Sequence, residues 1–330
     1  MMTKVKAPEI YPVMIDTEVE NLRSVNFYLV NHEEKLFLVD AGFDEELSWK
    51  HLMKTLSDNH FALKDLDAIL LTHTHFDHMG LVNKITEHHD IPVYLHPKGI
   101  VRAKRDPDYF SRRIDFFKEL YTSMGVEGSL VEMEEARLHW YGENNERKIR
   151  TDRLHTLEEG DQIFGFDVLE VPGHAPDHLA FYHKETETLL IGDHVIKHMS
   201  SNALIDMTLD GKRLKSLITY EKSLQRMYDI PTKLVYSGHG ETITNLPEIL
   251  DKKLARIRQK GDLILQLLYQ PKTAADLAKE IYKERYEKIF PLVMSEIIGH
   301  TDRLVHLGRI IPKRRDGKIY YERSRRKRLG

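Results

Sequence analysis

The sequence contains no cysteine among its 330 residues. This absence excludes disulfide bonds, thiolate metal ligands and a cysteine nucleophile, so a strong metal site would have to use histidine, aspartate or glutamate. Long apolar runs are absent as well. No stretch approaches the roughly 18 residues that a membrane helix needs, and the amino-terminal segment has no apolar core typical of a signal peptide. We therefore expect a cytoplasmic protein without a membrane partner.

The charge of the chain is nearly balanced but unevenly distributed. There are 49 lysine and arginine residues against 52 aspartate and glutamate residues. Residues 251–330 hold 21 basic and 10 acidic residues, a net charge of +11, whereas residues 1–250 hold 28 and 42, a net charge of −14. The basic region at the carboxyl end therefore needs its own explanation, since such regions attract phosphates and other anions.

Five short apolar runs each end at a residue that could bind a metal ion. They are rich in Val, Ile and Leu and are bounded by glycine, proline or polar residues, a pattern that predicts buried strands. The runs are KLFLVD ending at Asp40, AILLTH at His73, VLEVPGH at His174, TLLIGD at Asp193 and KLVYSGH at His239. Because the carboxyl ends of strands can meet at one edge of a sheet, we expect these five side chains to lie together.

The segment HTHFDH adds further ligands directly after the second of these runs. Residues two apart on a strand point to the same face, so His73 and His75 can face one ion. The apolar stripe that follows predicts a helix start near Asp77 and His78, where a second ion could be held. Hydrolytic two-metal sites place their ions about 3.5 to 4 Å apart, and Asp193 is the carboxylate best placed to bridge them.

This ordered set of motifs resembles the metallo-β-lactamase superfamily, particularly its glyoxalase II-like branch. The resemblance extends over about residues 24–245 and implies an α/β fold, the αββα sandwich of that superfamily. The implied metal ligands are His73, His75 and His174 for one ion, Asp77, His78 and His239 for the other, and Asp193 as the bridge. The implied cofactors are two divalent metal ions, with zinc expected and iron or manganese suited to the same nitrogen and oxygen ligands.

The resemblance also implies roles for residues around the ligands. Asp40 looks like the carboxylate that steadies a ligand from behind. His178 follows the third histidine ligand by four residues, but two nearby prolines argue against a helix there, so we place it behind the ligands too. Metal ions lower the pKa of bound water to about 7, so the expected nucleophile is a metal-bridging hydroxide, with Asp77 and Asp193 as catalytic residues. Asp77, His178 and His194 remain alternatives for the group that protonates the leaving atom.

Two differences between this sequence and other branches of the superfamily narrow the choice of branch. The absence of cysteine differs from the cysteine-bearing kind of true β-lactamase, and His75 stands where the flavodiiron oxidoreductases of this fold carry a glutamate. No flavodoxin-like domain is attached, which also favours hydrolysis over reduction of oxygen or nitric oxide.

The catalytic domain is predicted at 1–245, with a helical insertion at about 97–150. In the insertion an aromatic and apolar stripe recurs at helical spacing. Its members are Tyr109, Phe110, Ile114, Phe117, Leu120 and Tyr121. The stripe predicts core packing against the catalytic domain; the alternative is a lid over the metal edge that forms the substrate pocket.

Residues 246–330 are predicted to form three helices and a basic hairpin, a pattern that resembles a small winged-helix domain. Thr273-x-x-Asp276 has the pattern of a helix cap, and Asp316-Gly317 is a strong hairpin turn signal. The basic residues are Lys313, Arg314, Arg315, Lys318 and the SRRKR segment that begins at 324. They could contact single-stranded RNA, or they could be a solvated face of a module that braces the active site or a homodimer.

Three functions follow from these observations. The first is a metal-dependent hydrolase that acts on a small-molecule acyl substrate, namely an ester, thioester or lactone. The second is a phosphodiesterase or endoribonuclease that captures single-stranded RNA through the basic region. The third is a non-catalytic winged-helix regulator that binds DNA, which a complete ligand set with a bridging carboxylate disfavours.

Overall fold

The computed structural model describes residues 6–18 and 22–324. The chain divides into two compact units. The first unit takes the described residues of Met1–Lys104, Glu146–Ser201 and Leu224–Leu250, and the second those of Arg105–Asn145, Asn202–Ser223 and Asp251–Gly330. The second unit therefore combines most of the predicted insertion with the predicted carboxyl-terminal domain and with a segment that the sequence analysis did not single out. The assignment of the domains at 1–245 and 246–330 stays a prediction.

One sheet of the first unit has six strands in chain order. Its strands are β1 (Glu9–Asp16), β2 (Ser24–His32), β3 (Lys35–Val39), β4 (Ala68–Leu70), β5 (Val93–Leu95) and β6 (Leu154–Thr156). The first three strands pair antiparallel, and β3 to β6 pair parallel. As a result β3 and β4, the strands that lead to Asp40 and His73, end at the same edge of the sheet.

The other sheet of the first unit has five strands in the order β11-β10-β9-β8-β7. The strands are β7 (Gln162–Ile163), β8 (Phe166–Glu170), β9 (Leu179–His183), β10 (Thr188–Gly192) and β11 (Leu234–Ser237). Since β9 is antiparallel to both β8 and β10, and β11 is parallel to β10, the strands β8, β10 and β11 run in one direction. Their carboxyl ends carry His174, Asp193 and His239 to one edge.

Helices occur at the predicted apolar stripes after Asp77, in the insertion and in the carboxyl-terminal region, and also in segments for which the sequence analysis made no prediction. They are α1 (Glu46–Asp58), α2 (Phe76–Met79), α3 (Val82–His88), α4 (Ile100–Ala103), α5 (Pro107–Ser123), α6 (Gly128–Glu143), α7 (Ser216–Arg226), α8 (Leu246–Leu267), α9 (Ala274–Tyr282), α10 (Arg285–Lys288) and α11 (Phe290–His306). Among the described residues, no helix has both the length and the apolar content needed to cross a membrane.

Buried side chains explain the layers of the first unit. Phe37 and Val39 of the six-stranded sheet pack in one cluster with Phe166 and Phe181 of the five-stranded sheet, so the two sheets face each other. On the opposite face of the six-stranded sheet, a second cluster contains side chains of β1 to β5 together with those of α1 and α3. Alternate residues of the same strands belong to the two clusters, so one face of the six-stranded sheet packs on the other sheet and the opposite face packs on helices. The predicted α/β sandwich is thus confirmed.

The second unit has its own buried core. The predicted stripe of the insertion lies on α5 and is buried throughout. Phe117 and Tyr121 of this stripe pack with Phe290 of α11, whose ring centroid lies 5.1 Å from that of Tyr121. The stripe is therefore buried, but Phe117 and Tyr121 pack in the core of the second unit with α11, whereas the sequence analysis expected packing against the catalytic domain. Met133 and Trp140 of α6 stay largely exposed.

The carboxyl-terminal elements occur where the sequence predicts them. Thr273 caps α9: its hydroxyl accepts a hydrogen bond from the Asp276 amide, and the Asp276 carboxylate accepts one from the Thr273 amide. The hairpin consists of β12 (Ile310–Arg315) and β13 (Lys318–Arg323). Asp316 and Gly317 join them, with φ values of 49° and 76° that match a two-residue turn of type I′. Of the SRRKR segment, only Ser324 lies within the described residues.

Candidate metal centre

Seven side chains converge at the strand ends of the first unit and form two groups. Group one contains His73, His75 and His174, and group two contains Asp77, His78, Asp193 and His239. Within each group, one ligand-type atom from every residue lies within 4.8 Å of the others. These are the residues that the sequence motifs pointed to. Within one sheet β3 and β4 run parallel, and within the other β8, β10 and β11 share one direction, so each sheet brings its ligands to one edge.

Group one brings three imidazole nitrogens face to face. Nδ1 of His75 lies 2.9 Å from Nε2 of His73 and 3.0 Å from Nε2 of His174. Burial and the neighbouring His78 hold the pKa of His73 well below its usual range, and burial with His174 lowers the pKa of His75 to about 3. These two rings are therefore neutral at pH 7 and offer lone pairs. Zinc bonds of about 2.0–2.1 Å to tetrahedral nitrogen ligands separate those nitrogens by about 3.3 Å, so group one fits a cation after small adjustments.

Group two combines two histidines with two carboxylates. Nε2 of His239 lies 3.1 Å from an oxygen of Asp193 and 3.4 Å from an oxygen of Asp77. Nε2 of His78 lies 3.5 Å from the other oxygen of Asp193. Burial would raise the pKa of Asp77, but His78 and the hydrogen bond from His239 lower it to about 2. Burial lowers the pKa of His239, but the Asp193 carboxylate outweighs it and raises that pKa to about 10. A cation bound here would replace the imidazole protons that now balance the carboxylates.

Asp193 faces both groups. One of its oxygens lies 3.6 Å from Nε2 of His174 in group one and 3.1 Å from Nε2 of His239 in group two. Its other oxygen and Nε2 of His78 are both buried and have no hydrogen-bond partner among residues 6–18 and 22–324. Buried polar atoms without partners are costly, and a cation between them would satisfy both. The donor set therefore fits a metal site.

One carboxylate sets the protonation of two candidate ligands. Asp40 accepts hydrogen bonds from the Thr72 amide (2.7 Å), the Thr72 hydroxyl (2.8 Å) and Nδ1 of His78 (2.8 Å). Because the single hydroxyl proton of Thr72 goes to Asp40, its oxygen accepts from Nδ1 of His73, 3.0 Å away. Both histidines thus carry a proton on Nδ1 and turn Nε2 toward the centre.

Backbone at the start of β2 orients His239 in the same manner. Nδ1 of His239 donates to the Ser24 carbonyl at 2.7 Å, which leaves Nε2 facing Asp193. The hydroxyl of Ser24 accepts from the Gly240 amide at 3.0 Å, and the Asn26 side chain donates to the carbonyls of Ser237 and Gly240. The sequence analysis missed Ser24 and Asn26, since a polar residue inside a buried strand was their only signal.

Asp177 is another residue that the sequence analysis missed. It is buried, and one oxygen accepts hydrogen bonds from the Thr74 amide (3.0 Å) and the Thr74 hydroxyl (2.6 Å). A Cβ atom at Gly99 would lie 2.8 Å from the same oxygen, so only glycine fits beside it. Asp177 therefore anchors the loop between His73 and His75.

His178 lies in a loop against the ligands. Its Nε2 accepts a hydrogen bond from the Asp193 amide at 3.1 Å, and its ring stacks on that of His73 with centroids 4.6 Å apart. Burial and the nearby His174 lower its pKa, which keeps the ring neutral and able to accept. Since that nitrogen is engaged, His178 positions the Asp193 backbone. The buried ring of His194 lies 6.2 Å from the ring of His178.

Comparison with known proteins identifies the family. Residues 21–239 match the model of the Metallo-beta-lactamase superfamily. The chain belongs to this superfamily. The match spans both ligand groups, so the protein is a metallo-hydrolase of a superfamily whose members typically bind divalent metal ions.

Two curated proteins are similar to this chain over most of its length. The "Probable metallo-hydrolase YqjP" of Bacillus subtilis (strain 168) is 28% identical over 304 residues, which cover 91% of this chain and 93% of the relative. An "Atrochrysone carboxyl ACP thioesterase" of Claviceps purpurea (strain 20.1) is 26% identical over 274 residues, which cover 81% of this chain and 69% of the relative.

Solved structures show the same fold. A metallo-beta-lactamase family protein from Thermus thermophilus superposes with a TM-score of 0.76 at 25% identity, covering 95% of this chain and 98% of that one. A beta-lactamase domain protein from Burkholderia ambifaria gives a TM-score of 0.74 at 20% identity, with 96% and 91% covered. Both similarities cover nearly all of this chain.

Proposed function

We propose that this metallo-hydrolase cleaves small-molecule esters, thioesters or lactones with a two-metal centre and belongs to the glyoxalase II-like branch. The observation that carries the proposal is the pair of ligand groups that share Asp193. Two-metal hydrolytic sites have ions about 3.5 to 4 Å apart, which suits a carboxylate facing both groups. We propose zinc as the metal, because imidazole nitrogens outnumber carboxylates in the donor set; iron and manganese suit the same ligands.

The proposed substrate class rests on the chemistry of a relative. The Claviceps purpurea relative is by name a thioesterase, an enzyme that cleaves an acyl–sulfur bond. Thioesters, esters and lactones share an acyl carbon open to attack by water, so one centre can serve all three. This supports an acyl substrate over a phosphodiester.

The side chains of the site have separate proposed tasks. When bound, the metal ions activate a water molecule and polarise the carbonyl oxygen of the substrate. Asp40 and the Ser24 carbonyl hold Nε2 of His78 and His239 toward the centre. Asp193 lies between the two groups and fixes their separation. Asp77 is the most exposed member of group two, and we propose that it accepts the proton of the attacking water.

We propose that the carboxyl-terminal elements form a winged helix with a structural role, in bracing the enzyme or joining two copies in a homodimer. Most residues of α11, the third long helix, are buried, so it has little free surface for a DNA groove. On the hairpin, Lys313 lies 2.6 Å from Glu322, and Arg315 pairs with the same carboxylate. These contacts offset part of the positive charge that a nucleic acid would require. A cytoplasmic location also remains our proposal.

A substrate panel tests the proposed function. Zinc-loaded protein would be assayed with acyl thioesters, esters, lactones and labelled single-stranded RNA, each with and without a chelator. We expect turnover of acyl substrates that the chelator abolishes. Asp193→Ala should lower kcat/KM by about 1000-fold or more because both ligand groups lose a donor. Asp16→Ala, which removes an exposed carboxylate at the end of β1, is the matched control and should retain activity.

The outcomes separate the three predicted functions. RNA cleavage without acyl turnover would replace our proposal with a nuclease. Metal-loaded protein that binds DNA and turns over none of these substrates would point to the regulator. Acyl turnover that survives both chelation and Asp193→Ala would show that the candidate centre is not the active site.

A further inference from the structure

An exposed aromatic side chain stands inside the candidate metal motif. Phe76 lies between His75 of group one and Asp77 of group two, and its Cα atom is about 3.8 Å from each of theirs. Successive residues on a helix point about 100° apart, so Phe76 points away from its buried neighbour Asp77. The Phe76 side chain is 41% exposed. An exposed apolar ring is therefore carried by the residue that joins a candidate ligand of group one to one of group two.

A second aromatic ring is held against it. The ring centroid of Phe43 lies 5.4 Å from that of Phe76, with an angle of 36° between the ring planes. Backbone hydrogen bonds fix this arrangement: the Gly80 amide donates to the Gly42 carbonyl at 2.8 Å, and the Ala41 amide donates to the His78 carbonyl at 2.7 Å. The two rings thus form a wall set by the same loop that carries Asp40.

The close approach of that loop depends on a glycine. A Cβ atom at Gly80 would overlap the amide nitrogen of Asp44 and the carbonyl carbon of Phe43. Any other residue would push the loop away. The close backbone approach that brings Phe43 near Phe76 therefore requires glycine at position 80.

A cation lies over the same ring. The guanidinium carbon of Arg147 is 4.9 Å from the ring centroid of Phe76. Asn83 donates to the carbonyl of Lys148 at 2.8 Å and to that of Glu146 at 3.5 Å, which holds the arginine-bearing segment in place. A planar group that enters here meets an aromatic ring together with a positive charge.

We propose that Phe76, Phe43 and Arg147 form the subsite for the acyl group of the substrate and that this subsite selects an aromatic acyl group. The inference rests on the proposed acyl-hydrolase function and names its substrate class. An aromatic ring packs in a tilted or edge-on geometry against phenylalanine, and its electron-rich face attracts a guanidinium. A saturated ring of equal size keeps only the apolar contact, so the subsite distinguishes the two.

Three thioesters of one thiol test the inference. Zinc-loaded protein would be assayed with phenylacetyl, cyclohexylacetyl and acetyl thioesters of N-acetylcysteamine. We expect phenylacetyl to be preferred over acetyl, and Phe76→Ala to lower that kcat/KM ratio about tenfold, mainly through KM. Arg147→Gln should reduce the preference for phenylacetyl over cyclohexylacetyl about threefold. Met14→Ala removes an equally exposed apolar side chain of β1 and should leave both ratios unchanged.

A binding measurement keeps this test independent of turnover. Saturation-transfer NMR of phenylacetate with metal-loaded wild type and variants reports the subsite directly, while metal content and circular dichroism establish that each variant is folded. Loss of the phenylacetate signal in Phe76→Ala supports the inference even if no thioester is hydrolysed, an outcome that would overturn only the proposed function. Equal signals in wild type and Phe76→Ala, or a phenylacetyl-to-acetyl ratio within twofold of wild type in that variant, would overturn the inference and leave acyl hydrolysis standing.

Discussion

Replacing Asp40 by asparagine would reverse the hydrogen bonding behind the candidate metal ligands. Asp40 has a φ of 64°, a conformation that asparagine tolerates better than alanine, so Asp40→Asn preserves the backbone. The carboxylate accepts from the Thr72 amide through one oxygen and from both the Thr72 hydroxyl and Nδ1 of His78 through the other. An amide cannot accept at both positions.

The expected loss of metal affinity follows from the hydrogen bonds that the asparagine amide can make. If its oxygen keeps the hydrogen bond from the Thr72 backbone, its NH₂ group donates to Nδ1 of His78, and the imidazole proton moves to Nε2, the atom that faces group two. The Thr72 hydroxyl is then free to donate to His73, whose proton shifts in the same direction. Losing such support costs about 10- to 100-fold in metal affinity, or about 1.4 to 2.7 kcal/mol.

Metal titration checks this expectation. Zinc affinity and stoichiometry would be measured for wild type and Asp40→Asn in metal-buffered solution, with Asp16→Asn as the control because Asp16 is exposed. We expect weaker zinc binding in Asp40→Asn and unchanged binding in the control. Wild-type affinity and stoichiometry in Asp40→Asn would refute the argument that this carboxylate sets the histidine tautomers.

Three further changes have defined outcomes. A Cβ atom at Gly238 would overlap an Asp193 oxygen, so Gly238→Ala should displace that carboxylate and lower kcat/KM about 100-fold, which steady-state kinetics would show. Burial with Lys260 and Arg303 lowers the pKa of His300 to about 3. The unfolded chain, in which histidine titrates near 6.5, then binds more protons between pH 6.5 and 3. The free energy of unfolding should therefore be about 2 kcal/mol lower at pH 5 than at neutral pH. Urea melts should show this loss in the wild type and not in His300→Gln. Thr273→Ala removes the cap of α9 and should cost about 1 kcal/mol in the same melts, with an unchanged melt arguing against the cap.

The sequence was most informative where chemistry and strand pattern coincide. Asp40, His73 and Asp193 each end an apolar run, and parallel strands must place such residues at one edge. The motif therefore picked out residues that converge in the structure, without any knowledge of long-range contacts. The predicted hairpin at Asp316 was found for a similar reason, since its two-residue turn is a local signal with a specific backbone requirement.

The supporting residues could not be predicted in this way. Thr74 and Asp177 are 103 residues apart, and Ser24 and His239 are 215 apart. Neither pair has a periodic or spacing signal, because hydrogen bonds between distant loops depend on how the sheets assemble. The segment 202–223 was missed for the same reason: it joins the second unit through ion pairs such as Arg213 with Asp302, which leave no pattern in the sequence.

The two ligand groups differ in the charge and protonation of the donors that they offer to a cation. In group one, the low pKa values of His73 and His75 leave their lone pairs available at pH 7, so these two ligands need to release no proton when a cation binds. Group two holds the carboxylates Asp77 and Asp193 against protonated histidines, and a third carboxylate, Asp40, lies directly behind His78. A divalent ion in group two must displace protons but gains the attraction of ionised oxygens. The shared Asp193 therefore joins a nitrogen-rich position to an oxygen-rich one, an asymmetry that suits one ion held mainly by nitrogen beside another held mainly by charge.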